Sequence, residues 1–399
     1  MLQSFPWVFD GAKFLRNCTL EWRAGRFSAL TSSQSESPGN KNLLALPGLI
    51  NLHSHLELTS LAGKLPRLVA FPDWVASLRQ QIQGWTPSDY LESARAGARQ
   101  LWTTGTTTVL DVGNSGANLN LLQESPLRIL AMQEILGLGG EVSRERMTHA
   151  QAILEAYPGQ WPAERSVAGI CAHSIYGCNS SVFGACAGYS QSRGQPFTFH
   201  LEESSEEHQL LALGSGPMRA WLDGVFPLHE FTSVGPTGLE RALAMQMPRR
   251  SVIAHGNHLS AKDISTLVRL DATVVHCPQS RAWFGHESID VEACRSHGVR
   301  LCLGSDSLAS AESLSLWEQM RLFHKLHPNV PVKDVLAMVT SLPGDALVQD
   351  QSLGRIGVGA FADLVIVALP QAFDGENWEW LLEEPIQIKQ VIIHGDIVL

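Results

Sequence analysis

Leu46-Pro-Gly-Leu-Ile-Asn-Leu-His53-Ser-His55-Leu-Glu57 is an apolar run that stops at two imidazoles one residue apart. On a strand, residues i and i+2 point to the same side, so His53 and His55 can converge on one metal ion. The alternative for an isolated His-x-His is a solvated strand end. Later runs in the chain decide between the two.

Thr106 to Val112 is β-branched and apolar and breaks at Gly113-Asn114. Leu127 to Glu134 and Val167 to His173 follow. Pro196 to His200 leads into Leu201-Glu202-Glu203, and Ser251 to His255, Ala272 to His276 and Val299 to Asp306 close the series. With the run before His53 these are eight segments, each the length of a buried parallel strand. Helical stretches lie between them: Tyr90 to Trp102 behind Pro87-Ser88, Leu259 to Val268 with Ser260 as cap, and Ser313 to Phe323. Strands alternating with helices in this way describe an α/β fold, a (β/α)8 TIM-like barrel whose reactive residues belong at the carboxyl ends of its strands. His53, His55, His173, His200, His255, His276 and Asp306 all fall there. Seven such residues on one edge favour a functional reading over a solvated one.

The chain of 399 residues exceeds a barrel by about a hundred. Residues 1–45 read as short strands, and so do Leu364 to Leu369 and Val391 to Leu399. The expected organisation is a small composite β-sandwich from 1–45 plus 352–399, flanking a metal-dependent barrel over 46–351. Hydrophobic residues at 44% and charged residues at 17% supply a large buried core. A net charge of −10 without a Lys/Arg cluster argues against a nucleic-acid surface. Seven cysteines, odd in number and without a C-x-x-C pair, fit reduced thiols in a cytoplasmic protein. The first twenty residues hold Asp10, Lys13 and Arg16, so no signal peptide is expected, and no segment has the length of a membrane span.

Six motifs, in order, resemble the amidohydrolase superfamily. They are Pro47-Gly-Leu-Ile-Asn-Leu-His-Ser-His55, His200-Leu-Glu-Glu203, His255-Gly-Asn-His258, His276-Cys-Pro-Gln-Ser280, Gly304-Ser-Asp306-Ser307 and Ala362-Asp-Leu-Val-Ile-Val367. Within it the chain is similar to the branch of cytosine, guanine, S-adenosylhomocysteine and aminofutalosine deaminases and triazine hydrolases. The resemblance implies one divalent metal ion, zinc or iron, on His53, His55, His200 and Asp306. Binuclear members carry a modified lysine after the fourth strand; here Cys171-Ala-His173-Ser-Ile-Tyr176 offers none, which favours a single ion. The other zinc deaminase signature, H-x-E with P-C-x-x-C, is absent.

The resemblance also implies roles. Asp306 accepts a proton from the metal-activated water, His255 holds the resulting nucleophile, and Glu203 shuttles a proton to a ring nitrogen, with Glu202 as the neighbouring competitor. His173 matches a histidine of the substrate pocket, Glu57 and Trp74 lie in the loop after the first strand where substrate contacts form, and His276 packs under the pocket. His258 and His286 read as loop histidines. Arg281 stands where the family usually has Asn and can pair with a substrate carboxylate or bond a neighbouring loop; Arg144 and Arg146, after the third strand, are rival partners.

The expected function is hydrolytic deamination of an aminated N-heterocycle, a purine or purine nucleoside-like compound. His53-Ser-His-Leu-Glu-Leu-Thr59 leans towards 6-amino-6-deoxyfutalosine of menaquinone synthesis, which bears a benzoate group. A sibling activity, chlorohydrolase or cyclic amide hydrolase, is the alternative, and a non-catalytic binding scaffold the remote one. The expected partner is a small heterocyclic substrate, neither nucleic acid nor membrane, with a homodimer left open.

Overall fold

The computed structural model describes residues 1–32, 42–138, 140–161, 165–225, 237–348, 351–371, 373 and 375–399. Its strands are β1 (Leu2–Phe9), β2 (Phe14–Arg23), β3 (Arg26–Ser32), β4 (Leu43–Pro47), β5 (Leu49–Ser54), β6 (Thr106–Gly113), β7 (Arg128–Ile135) and β8 (Val167–Ala172). Then come β9 (Thr198–Leu201), β10 (Val252–His255), β11 (Thr273–His276), β12 (Arg300–Leu303), β13 (Leu364–Ala368), β14 (Ile388–Ile393) and β15 (Asp396–Ile397).

β5 to β8 pair in parallel and in chain order, and β9 to β12 do the same. Parallel bridges from Ser54 to Asp306 and from Ser174 to His200 join the two sheets into a closed barrel. Both bridges lie at the carboxyl ends, beside the candidate ligands. Inside, Ile50, Leu52, Leu110, Leu130, Met132, Val252, Val275 and Cys302 pack one buried cluster, so the barrel is filled and not a pore.

The opening apolar run serves two sheets. β4 pairs with β1 and β13 in the sheet of the termini, whereas β5 begins the barrel. Gly48 makes the corner, because a Cβ there would stand 2.1 Å from the Thr107 hydroxyl oxygen. The terminal sheet has the order β15-β14-β13-β4-β1-β2-β3, with strands from both ends of the chain. It curls until Arg26 of β3 bridges Phe361 ahead of β13. The curl encloses Phe5, Val8, Leu20, Trp22, Phe27 and Ile392.

Helix starts follow their capping chemistry. Pro87–Thr103 opens on a capping box between Thr86 and Asp89, and Ala261–Arg269 on one between Ser260 and Asp263. The helix expected from Ser313 begins later, as Leu316–Leu326. The Gln279 side-chain oxygen accepts from the backbone N–H of Glu312 and Ser313 and holds them as a loop. All seven cysteines are buried and unpaired. Among the described residues no helix is long and apolar enough to cross a membrane.

Candidate active site

The carboxyl ends of β5, β9, β10 and β12 bring His53, His55, His200, His255 and Asp306 together. His200 Nδ1 donates to the His173 carbonyl at 2.7 Å, so its Nε2 carries a lone pair. That lone pair faces His55 Nε2 at 3.2 Å. Asp306 Oδ1 stands 3.8 Å from both His53 Nε2 and His55 Nε2. His53 is 1% exposed, yet neither of its ring nitrogens has a hydrogen-bond partner. A buried imidazole left unbonded, beside two others and a carboxylate, is a donor set that a divalent cation satisfies. The residues fit a metal.

Charge states agree with that use. Burial, with His200, His55 and His255 adding to it, holds the His53 imidazole well below its usual range. Burial and His55 bring His200 down to about 4. Neutral imidazoles are the form that ligates. Burial alone pushes the Asp306 carboxyl up, but His255, His55, a hydrogen bond from Ser280 and His200 outweigh it and keep the group an anion.

Glu202 and Glu203 separate cleanly. Glu202 has φ 54°, a left-handed turn that ends the strand alternation after His200. Its carboxylate faces away, with Oε2 2.8 Å from His208 Nδ1 and Oε1 accepting from Gly238 N at 3.1 Å. Glu203 instead lines the cavity, with Oε1 3.7 Å from His255 Nε2. The turn is fixed by Glu207, whose carboxylate accepts from the backbone N–H of both Glu202 and Glu203 at 2.9 and 2.8 Å. His255 and Asp306 also have positive φ, 73° and 57°. Such strain gathers where side chains must be re-aimed into a site. Burial first, then Asp306, Glu207, Glu206 and Glu134, pushes the Glu203 carboxyl well above its usual range. Burial, His200, His286 and His55 outweigh Asp306 and bring His255 down to about 3.

A cavity of about 270 Å³ opens from these groups. Glu57, Trp74 and His173 line it. The Glu57 carboxylate is taken up by Asn114 N at 3.0 Å, Ser115 N at 3.1 Å and the Ser115 hydroxyl, so it also anchors the loop after β6. Trp74 Nε1 donates to Ala309 O at 3.2 Å, and His173 Nδ1 meets the Ser174 hydroxyl at 2.8 Å.

The three candidate arginines lie elsewhere. Arg281 sits in helix Pro278–Phe284 and does not line the cavity. Burial, then the charge of Arg281, brings the His276 imidazole to about 3, and the same two causes lower His327. Arg144 and Arg146 are exposed residues of helix Gly140–Leu154, not of a loop, and Arg146 donates to Leu136 O at 2.8 Å. Neither is among the residues that line the cavity, although Leu136, which Arg146 bonds, is one of them. His276 lies outside the cavity wall, His258 stacks on His208 at 5.1 Å, and His286 on Phe284 at 4.8 Å.

Sequence reasoning passed over Glu134 and Arg79, which line the cavity. Glu134 is the last residue but one of β7, and its buried Oε1 has no hydrogen-bond partner but stands 3.6 Å from His200 Nδ1. Its place at a strand's carboxyl end, like that of the histidines, was the available signal.

The amidohydrolase family model matches residues 44–398. The chain is 27% identical over 338 residues to the 5-methylthioadenosine/S-adenosylhomocysteine deaminase of Nitratidesulfovibrio vulgaris, covering 82% of this chain and 71% of that protein. It is 24% identical over 371 residues to the aminodeoxyfutalosine deaminase of Nitratiruptor sp., covering 90% and 87%. The crystal structure of Helicobacter pylori aminofutalosine deaminase in complex with methylthio-coformycin superposes with a TM-score of 0.85 at 20% identity, covering 100% of both chains, a likeness of fold. With its family model spanning all but the ends, the chain belongs to the amidohydrolase family.

Proposed function

We propose that this protein is a metal-dependent hydrolytic deaminase of an aminated N-heterocycle, with a purine nucleoside-like substrate. His53, His55, His200 and Asp306 would hold one divalent ion, and three imidazoles with one carboxylate suit zinc ahead of iron. The observation that carries the reading is the buried donor set of His53, His55, His200 and Asp306 with Glu203 and His255 beside it in one cavity wall. The names of the relatives, methylthioadenosine, S-adenosylhomocysteine and aminodeoxyfutalosine deaminases, support the substrate class.

When bound, such an ion supplies a water acidic enough to lose a proton near neutral pH. The chain's own groups do the rest. Asp306, held as an anion, accepts that proton. Neutral His255 orients the attacking oxygen by a hydrogen bond. Glu203, kept protonated by its buried position, gives its proton to the ring nitrogen beside the carbon under attack. The proton taken by Asp306 would then pass to the departing amino group, which leaves as ammonia, while the remaining proton of the attacking oxygen returns to Glu203 as the carbonyl forms.

The test is ammonia release from adenine, adenosine, 5-methylthioadenosine, S-adenosylhomocysteine and guanine by zinc-loaded protein. Chloride release from a chlorotriazine or opening of a cyclic amide, with no ammonia from the purines, would replace deamination with the sibling activity. His200→Ala is expected to lower metal content and turnover together, because it removes one of four ligands. A variant that keeps full metal and full turnover takes His200 out of the ligand set.

A further inference from the structure

The barrel closes on a seam between its first and last strands, β5 and β12. Among the described residues these two share no ladder, and the bridge that joins them is Ser54 to Asp306, at the metal-binding end. Three of the candidate ligands, His53, His55 and Asp306, flank that bridge. The seam therefore decides how far apart their side chains start. β5 is also irregular at this point. Asn51 pairs with Val109 of β6 and Ser54 with Asp111, so three steps along one strand match two along the other. Such a bulge re-aims the side chains within it, and His53 is one of them.

One side chain serves both the bulge and the seam. Asn51 is fully buried. Its Oδ1 accepts from His53 N at 3.3 Å, inside the bulge, and from Ser305 N at 3.2 Å, across the seam. Its Nδ2 donates to the Ser305 hydroxyl at 2.7 Å, 254 positions away in the chain. That hydroxyl donates to the Asp306 carbonyl at 3.2 Å. From the other side the His53 carbonyl accepts from the backbone N–H of Ser305 and of Asp306, at 3.2 and 3.0 Å. Asp306 itself has φ 57°, a left-handed conformation that persists where surrounding bonds over-determine it. Its side chain is oriented separately, with Oδ2 accepting from the Ser310 hydroxyl at 3.1 Å. No atom of Asn51 belongs to the ligand set.

We propose that Asn51 is a positioning residue of the metal centre: its amide clamps the backbone of His53 to that of Ser305 and Asp306, and so sets the spacing of two ligands and the affinity for the ion. An amide offers acceptor lone pairs for two N–H groups and a donor for the hydroxyl. Aspartate keeps the acceptors, and the Ser305 hydroxyl can turn to donate to it. Leucine offers neither. The inference rests on the reading of His53, His55, His200 and Asp306 as ligands.

Zinc affinity of the whole chain is measured by competition with a chromophoric chelator. The visible absorption of the Co2+-loaded protein and the denaturant midpoint of the metal-free protein are recorded beside it. Asn51→Leu should weaken zinc by about 10–100-fold, the range for loss of a group that orients a ligand. Its Co2+ band should shift and lose intensity as the coordination geometry relaxes. Asn51→Asp should recover most of both changes. Ser305→Ala is the milder variant should Asn51→Leu fail to fold, and it should weaken zinc by about two- to tenfold, as for one neutral hydrogen bond. Asn51→Leu/Ser305→Ala should bind zinc about as weakly as Asn51→Leu alone, because the two residues act through one clamp. A lower denaturant midpoint with zinc affinity and Co2+ band unmoved, in either single variant, marks a merely structural amide and overturns the inference. No recovery in Asn51→Asp overturns it in favour of packing. Zinc that binds the unaltered protein, is lost in His200→Ala and is untouched in Asn51→Leu sinks the inference and leaves the ligand set. No zinc on the unaltered protein sinks the ligand set, and the inference with it.

Discussion

Glu203→Gln is expected to lower turnover by at least about two orders of magnitude while metal content stays near normal. Gln keeps the volume of the side chain but has no acidic proton. The carboxyl it replaces is buried, faces His255 at 3.7 Å and lies in the cavity wall, whereas none of its atoms belongs to the proposed ligand set. Neutralising attack on an aromatic amidine needs a proton at the ring nitrogen, and Glu203 is the raised carboxyl beside His255; Glu134, which burial, Glu57 and Asp306 push up to about 8, stands against His200 Nδ1 at 3.6 Å. Substrate affinity should change little, because the loss falls on a step made only in the transition state. Glu202→Gln gives the contrast. Its carboxylate serves His208 and Gly238, so it should cost turnover no more than a few-fold through a looser turn. The measurements are steady-state kinetics beside metal analysis. A milder effect at Glu203 than at Glu202 would move the proton shuttle by one residue.

That contrast also marks where sequence was informative. The barrel was legible because buried parallel strands are continuous apolar runs, and its metal-binding edge because histidines and an aspartate end those runs. The choice between Glu202 and Glu203 depends on a left-handed residue at Glu202, which no periodicity announces. The run from Leu43 to Ile50 reads as one strand but is two, since the turn at Gly48 is set by contact with Thr107, a residue distant in sequence. Arg281 was singled out as a departure from the family's Asn, and Arg144 and Arg146 for a loop after the third strand; all three belong to helices and none lines the cavity. The apolar wall of the cavity could have been read from the spacing of Phe71, Trp74, Val75, Leu78 and Ile82, but such a face ordinarily packs on protein. Only the fold shows that it borders a cavity.

Arg128→Leu is expected to lower the unfolding free energy by about 3–5 kcal/mol, the cost of breaking a buried ion pair from one side. Arg128 opens β7 at the amino end of the barrel and is fully buried. Its Nε stands 3.4 Å from Asp363 Oδ2, its Nη2 3.4 Å from His394 Nδ1, and its guanidinium 3.9 Å from the centre of the Phe361 ring. Burial, then the charge of Arg128, lowers the His394 imidazole, so that ring is neutral and can accept. Asp363 in turn accepts from His394 N at 2.6 Å, and its carbonyl accepts from Gly48 N at 2.8 Å. One cation therefore ties the barrel floor to the terminal sheet at the corner where the chain passes between them. Leucine there would leave the Asp363 carboxylate, 4% exposed, without its ion-pair partner, with Arg165 as the remaining cation that acts on it. The double replacement Arg128→Leu/Asp363→Leu removes both charges and should recover a large part of the loss, since apolar substitutes for buried pairs are often close to neutral. Denaturant midpoints at constant slope measure both. Turnover of the folded fraction should be unchanged, because β7 carries its carboxyl end about 20 Å from Arg128. A double variant no more stable than the single one would mean that the guanidinium acts through packing on Phe361 and not through its charge.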